Sequence, residues 1–377
     1  RRINAIRAGQ ATATGQVLSA SCGLAECLER LRPAWSEAQG SAARFNAQEQ
    51  AEHGAHQGRR RGAGIAAMWY GIGNTVIANP STMRVALRRS GRIVLYNGAM
   101  DIGQGSSTIL PQICADAIGV PVSTFDQVLG DTDLTADAGK TSASRQTFVS
   151  GNAARLAGED LRRQLLALLG APAHARLDVN GATLGARADR REWRVQLDTL
   201  AADPQGDVAV GEGHFNPPTT PLDSDGQGAP YATYGFAAQI AEIEVDLELG
   251  TVKVLKMHAA HDIGRAINPT QVEGQIHGGI AQGLGMALME EYHSGRTDNL
   301  HDYLIPTIGD MPPIVTHLVE DAEPLGPYGA KGVGEPALIP TAPAILSAIR
   351  HATGVRITHL PATPDRVRAA LLESRRT

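Results

Sequence analysis

Only once does this chain bring glycine, a single carboxylate and proline together in a spacing suited to chemistry. The run Gly326-Pro327-Tyr328-Gly329-Ala330-Lys331-Gly332-Val333-Gly334-Glu335-Pro336 puts four glycines within nine positions and ends on Glu335. Glycine lets the backbone take positive φ and approach a ligand closely, and a residue before proline is biased toward an extended conformation. Glu335 is therefore presented on a shaped backbone ledge, as a general base needs to be. A solvated loop glutamate is the plainer reading, and the stretch alone does not separate the two.

Three further segments carry polar chemistry. Gln104-Gly105 stands at an expected helix start, and Gln282-Gly283 lies in a glycine-rich helix. Gly139-Lys140-Thr141-Ser142-Ala143-Ser144-Arg145-Gln146-Thr147 is crowded with hydroxyls, an amide and cations. Such loops offer backbone N–H groups and neutral donors to an anionic, heteroatom-rich ligand. The last is no P-loop, because Leu134 stands where the first glycine belongs and no apolar strand precedes it. His258 and His261 lie beside Asp262 without the glutamate of a zinc-protease helix, and read as surface histidines. No metal ligand set is expected from side chains.

These groups need elements to position them. Residues 1–40 read as helical, and the polar, His-rich 41–60 as a surface connection. Arg59-Arg60-Arg61 reads as a solvated turn. Strands are expected at 64–70, 83–87 and 93–96, with Ser90-Gly91 turning the last two into a hairpin. A helix carrying Leu110, Ile113 and Ala117 follows, and another runs from Asn152 to Leu169. Ile243, Val245 and Leu247 alternate with acids in a half-exposed strand, which Gly250-Thr251 turns into 252–257.

Val272, Ile276, Ile280, Leu284 and Leu288 recur every four positions and give a helix burdened with five glycines. Each costs roughly 0.8–1 kcal/mol against alanine in an exposed helix interior. Either a ligand or a tight helix crossing explains that load. Thr341 is the expected N-cap of a helix ending before Gly354. Strands and helices intermingle without strict βαβ alternation, so the expected class is α+β. Residues 1–170 form a first region, 171–230 a variable connection and 231–377 a second region.

The 377 residues suffice for sizeable cores. A net charge of −5 argues against nucleic-acid binding. No apolar stretch is long enough to span a bilayer, and no signal region opens the sequence. Cys22, Cys27 and Cys114 are too few for a disulfide framework and suit a reducing, cytoplasmic setting. Aromatics make up 4% against 42 glycines, as when protein wraps a large ligand closely.

In order along the chain, several of these segments match one family. They are Arg2-Ile3-Asn4, Thr14-Gly15-Gln16-Val17, Met100-Asp101-Ile102-Gly103-Gln104-Gly105 and Thr141–Thr147. Asn268-Pro269, Val272-Glu273-Gly274-Gln275, Gln282-Gly283-Leu284-Gly285 and Gly332-Val333-Gly334-Glu335-Pro336 complete the set. The chain thereby resembles the C-terminal half of the molybdopterin-binding subunit of the xanthine dehydrogenase/aldehyde oxidase molybdenum hydroxylases, in a split-subunit, nicotinate-dehydrogenase-like form.

The resemblance implies a molybdenum–molybdopterin cofactor, expected in its cytosine dinucleotide form, with the metal held by the pterin dithiolene. It implies insertion of a water-derived oxygen at an electrophilic carbon of an N-heteroaromatic (purine or pyridine type) or an aldehyde. Glu335 matches the base, and Gln282 a glutamine beside the metal. Gly103, Gln104 and Gly105, then Ala143, Ser144, Arg145 and Gln146, and Gly332, Val333 and Gly334 match cofactor-binding segments. A non-catalytic subunit that carries or supports the pterin is the alternative.

Two departures stand out. The Gly-Gly-Phe-Gly cover segment of the family is absent, as are iron–sulfur cysteine motifs and a flavin domain. A second molybdopterin-binding subunit with that cover, an iron–sulfur subunit and an FAD subunit are the expected partners. In Trp69-Tyr70-Gly71-Ile72-Gly73-Asn74-Thr75, Asn74 takes the place of a substrate-stacking aromatic, for which Tyr70 or Trp69 could substitute.

Overall fold

The computed structural model describes residues 1–74 and 78–376. The first half runs α1 (Leu24–Arg30), α2 (Arg32–His53), β1 (Arg59–Ile72), β2 (Ser81–Arg88), β3 (Ile93–Asn97), α3 (Ser106–Ile118), β4 (Phe125–Leu129) and α4 (Gly151–Leu169). Next come β5 (Arg176–Asn180), β6 (Thr183–Ala188), β7 (Arg191–Gln196) and β8 (Asp207–Phe215). The chain closes with β9 (Thr233–Asp246), β10 (Val252–Asp262), α5 (Pro269–Leu288), β11 (Ile314–Val319), α6 (Thr341–Thr353) and α7 (Pro364–Ser374).

One sheet has the order β1-β9-β10-β11, and a second β4-β3-β2-β8. In each, one edge pair is parallel and the rest antiparallel. A small antiparallel sheet, β5-β6-β7, stands apart. The fold is α+β, as the mixed pattern predicts. Among the described residues no helix is long and apolar enough to cross a membrane.

The first sheet is covered on both sides. Ala241, Ile243 and Val245 of β9 join Ile276 and Ile280 of α5 and Ile345 and Ile349 of α6 in one core. Ala238 and Ile240 pack instead against Cys27, Leu28 and Leu31. The predicted alternation of Ile243 and Val245 with acids holds in the last part of β9, where it was expected, and the nine residues that open the strand are all buried.

Paired glycines bring helix and strand backbones together. A Cβ on Gly62 or Gly64 of β1 would lie 2.1 Å from a carbonyl oxygen of α6. Gly211 and Gly213 of β8 stand likewise against α4, at 2.4 and 2.1 Å. No side chain fits at such separations, so glycine sets how closely these layers pack.

Several expectations change. Residues 1–23 are irregular because their polar groups bond elsewhere: Gln16 donates to the Tyr231 carbonyl at 2.8 Å and accepts from the Tyr234 hydroxyl at 2.7 Å. Helix instead continues to His53, with Ala38 and Ala42 buried beneath its polar face. Arg59–Arg61 opens β1 rather than a turn. Arg60 is buried with its guanidinium on the carbonyls of Gly54 and Ala55, and Arg61 lies 3.9 Å over Phe45. Thr341 is the first residue of α6, and its hydroxyl donates to Gln239 at 2.7 Å rather than capping the helix.

His258 and His261 are buried, not at the surface, because they stand on opposite faces of β10 and helices cover both faces of its sheet. His258 pairs with Glu242 at 3.0 Å. His261 Nε2 faces the Gln239 amide nitrogen at 3.2 Å, and burial pushes its pKa down to about 3. The three cysteines are free and buried, and burial raises each thiol, Cys22 to about 11.

Two outcomes follow from this packing. Gly64→Ala should lower stability by about 1–3 kcal/mol in thermal unfolding, whereas Gly185→Ala, with 3.6 Å of room, should be neutral. Unfolded His261 takes up a proton below its ordinary pKa of about 6.5, and the folded residue does not. Its contribution to stability is thus complete above about pH 6.5 and lost as pH falls toward about 3. A His261→Gln variant should show a shallower acid limb when unfolding midpoints are measured across that window.

Candidate active site

A cavity of about 460 Å³ opens where four segments converge. Ile102, Gly103 and Gln104 form one wall, and Thr141, Ser142 and Ser144 through Thr147 a second. Gln275, Gly278, Gly279 and Gln282 of α5 form the third, with Val333, Gly334, Glu335 and Leu338 opposite. The volume lies within the range of small-molecule and cofactor sites.

Glu335 is half-buried and meets the second wall through one residue. Its backbone N–H donates to Ser144 Oγ at 2.9 Å, and the Ser144 hydroxyl donates to its carboxylate. Ala143 and Ser144 both have positive φ, 53° and 52°. The Ala143 carbonyl accepts from the Gly73 N–H at 2.9 Å. A Cβ on Gly332 would fall 1.8 Å from the Ser144 carbonyl oxygen, so only glycine allows the two loops to touch. Tyr70 stands nearby, its hydroxyl pKa pushed up to about 12 by burial and by the Glu335 charge, against a hydrogen bond with Ser144.

The loop before α4 is held by Arg145, whose side chain is buried. Its guanidinium donates to Asn79 Oδ1 at 2.6 Å and to the carbonyls of Asn79, Pro80, Ala138 and Lys140 at 2.6–3.2 Å. Burial lowers its pKa, and Asp137 opposes the shift. These bonds occupy the guanidinium, so Arg145 shapes the loop rather than reaching for a ligand. Gln146 donates to Thr141 Oγ1 at 2.9 Å and begins a π-turn, Gln146–Ser150.

The first wall is built on Asp101. Burial raises its carboxyl pKa, but bonds from Ser107, Gly103 and Gly105 outweigh it and leave the pKa below the ordinary value. That carboxylate takes up N–H groups at the start of α3 that the sequence offered to an anion. The Gln104 amide is likewise engaged, with Ser106 at 2.9 Å and the Met100 carbonyl at 3.2 Å.

Behind the glutamate loop lies a dry ion pair. Lys331 Nζ is 2.7 Å from Asp262 Oδ2, and both side chains are fully buried. Lys331 also donates to the Ser21 carbonyl at 3.0 Å, while Asp262 accepts from Gly23 and Gly264. On the other side Gln239 donates to the Ala337 carbonyl at 2.8 Å. The short turn Glu335–Ala337 is thus held at both ends.

The structure gathers Gly103, Gln104, Ser144, Arg145, Gln146, Gln282, Val333, Gly334 and Glu335 around one cavity. Gly105, Ala143 and Gly332 support these walls from behind. Asn74 is directed at Asn79, 3.3 Å away, and Trp69 stacks 5.1 Å from Tyr234; neither lines the cavity. Thr75 lies outside the described residues. Gln275 and Gly278 are cavity residues that sequence reading passed over. Their signal was position: 275, 278 and 282 share one helical face.

The helix glycines divide. Gly279, Gly283 and Gly285 are packed against Ala337, Thr341 and Glu290, whereas Gly274 and Gly278 face open space. Tight packing therefore accounts for three of the five, and of the other two Gly278 lies on the cavity wall.

The residues fit a large cofactor that carries its own metal ligands. Gly278 and Gly103 leave open the space a Cβ would fill. Among the described cavity residues, Glu335 is the sole carboxylate, and no cysteine or histidine is present to hold a metal. The fold and site define a cradle for a polar, heteroatom-rich group.

Comparison with known proteins gives that class its family. Residues 35–312 match the molybdopterin cofactor-binding domain. The xanthine dehydrogenase molybdenum-binding subunit of Escherichia coli O157:H7 is 33% identical, over 97% of this chain and 48% of that protein. The 6-hydroxypseudooxynicotine dehydrogenase complex subunit gamma of Paenarthrobacter nicotinovorans is 31% identical, over 82% of this chain and 39% of its own length. The aldehyde oxidoreductase structure from Desulfovibrio desulfuricans superposes with a TM-score of 0.81 at 30% identity, covering 98% of this chain and 37% of that one. The chain belongs to the molybdopterin cofactor-binding family of the xanthine dehydrogenase and aldehyde oxidoreductase type. It spans about half the length, or less, of these relatives.

Lys331→Met should strand the Asp262 charge and cost about 3–5 kcal/mol in denaturant unfolding. Adding Asp262→Asn should recover much of that loss, since the amide oxygen still accepts a backbone N–H.

Proposed function

We propose that this chain is the molybdenum-binding part of a multi-subunit hydroxylase and that Glu335 is its general base. When bound, the molybdenum–pterin group, read here in its cytosine dinucleotide form, supplies two-electron oxidation with water-derived oxygen. The reading rests on one observation above all: among the described residues a single carboxylate lines the cavity, set among glycines, hydroxyls and amides, with Ile102, Val333 and Leu338 as apolar lining and Arg145 already bound within its own loop. A base so placed takes its proton within the cavity, where surrounding protein limits the water that competes for it.

The other residues bind and orient. Among the described residues the side-chain amides of Gln275 and Gln282 have no hydrogen-bond partner, and they can donate or accept toward cofactor and substrate. Arg145 and Asp101 stiffen the two loops that form the near walls. Gly278 and Gly103 let a flat ring system lie against backbone.

Relatives named for xanthine and for 6-hydroxypseudooxynicotine support an N-heteroaromatic substrate of purine or pyridine type, with an aldehyde supported by the aldehyde oxidoreductase likeness. The relative named as one subunit of a complex supports partners for this chain: the remaining molybdopterin-binding portion, an iron–sulfur subunit and an FAD subunit. A chain with three buried, unpaired thiols suits the cytoplasm.

Glu335→Gln in the assembled complex is the test. Molybdenum and pterin contents should be unchanged while turnover falls by about 100- to 10,000-fold. Near-normal turnover would overturn the base assignment.

A further inference from the structure

Ser144 touches Glu335 at two points. The Glu335 backbone N–H donates to its oxygen at 2.9 Å, and its hydroxyl hydrogen goes to the Glu335 carboxylate. A serine hydroxyl has one donor and two acceptor sites. The donor goes to the carboxylate and one acceptor takes the N–H, so a single side chain fixes both the backbone and the carboxylate of Glu335.

The backbone is built around this contact. Ser144 sits at φ 52°, a region side-chain-bearing residues seldom adopt, and so does Ala143 before it. Gly332 is obligatory against the Ser144 carbonyl, and Gly334 lies 3.2 Å from its hydroxyl by the same measure. Such local strain persists where surrounding structure over-determines it, often at functional sites.

We propose that Ser144 is the positioning residue for the base: it holds the Glu335 carboxylate at the cavity wall in the orientation in which it accepts a proton. This rests on the reading of Glu335 as general base. A carboxylate tethered in this way keeps one orientation, so less freedom is lost when it takes up a proton in the reaction.

Among the described residues that line the cavity, Arg145 carries the charge other than Glu335. The Arg145 guanidinium is spent on carbonyls and Asn79, and Lys331 is locked on Asp262. The face of α5 that lines the cavity, Gln275, Gly278, Gly279 and Gln282, carries no titratable group.

The test compares Ser144→Ala and Ser144→Gly in the assembled complex, with Glu335→Gln as reference. Two quantities are followed: kcat and KM separately, and the infrared carboxylate band of Glu335, assigned by its loss in Glu335→Gln. In Ser144→Ala, kcat should fall about 10- to 100-fold with KM and the molybdenum and pterin contents unchanged, and the carboxylate band should move as it loses its hydroxyl donor. Ser144→Gly suits the local φ and should reproduce both effects if the alanine variant assembles poorly. An unmoved band and unchanged kcat in whichever Ser144 variant assembles, with Glu335→Gln inactive, would overturn the positioning role and leave the base assignment standing. Near-normal turnover in Glu335→Gln would remove the base assignment, while the band would still report on the Ser144 contact.

Discussion

Lys331 and Asp262 face each other at 2.7 Å with neither side chain reaching water. In such a place an unpaired charge is far more costly than the pair, so the two groups hold their elements in one arrangement. Asp262 ends β10 and also accepts from Gly23, just before α1; Lys331 stands four residues before Glu335 and also donates to the Ser21 carbonyl. The N-terminal segment, the central sheet and the glutamate loop are therefore tied at one point. The cavity inherits its shape from that tie, since Val333, Gly334 and Glu335 leave it in sequence directly toward Ser144.

The cavity is a seam between layers rather than a pocket within one. Its near walls come from loops around the β4-β3-β2-β8 sheet, and its far walls from α5 and the loop that precedes α6. Few side chains cross the seam. Ser144 does so by hydrogen bond, and Gly332 by having no side chain at all. Groups from several segments converge there, and bonds such as those of Arg145 and Asp101 hold each segment in its own shape.

Much of this was written locally in the sequence. The glycine spacing before Glu335, the hydroxyl-rich 141–147 loop and the four-residue apolar repeat of α5 are near-neighbour signals, and each marks a wall of the cavity. What sequence reading missed depends on distant partners. Arg145 looks like a ligand-binding cation until Asn79, Pro80 and Ala138 surround it. His261 looks like a surface residue until helices close over β10. Residues 1–23 carry no helix because their hydrogen bonds go to Tyr231, Tyr234 and Asp321. Burial and long-range bonding have no local spelling.

The glycines of β1 matter beyond packing. Gly64 lies six residues before Tyr70, and the helix pressed against it begins six residues after Glu335. With backbone laid on backbone, α6 and β1 have little freedom to slide past one another. A displacement of one therefore carries the other along, as common-mode motion. The tyrosine and the glutamate can drift with their scaffold while the gap between them stays nearly constant.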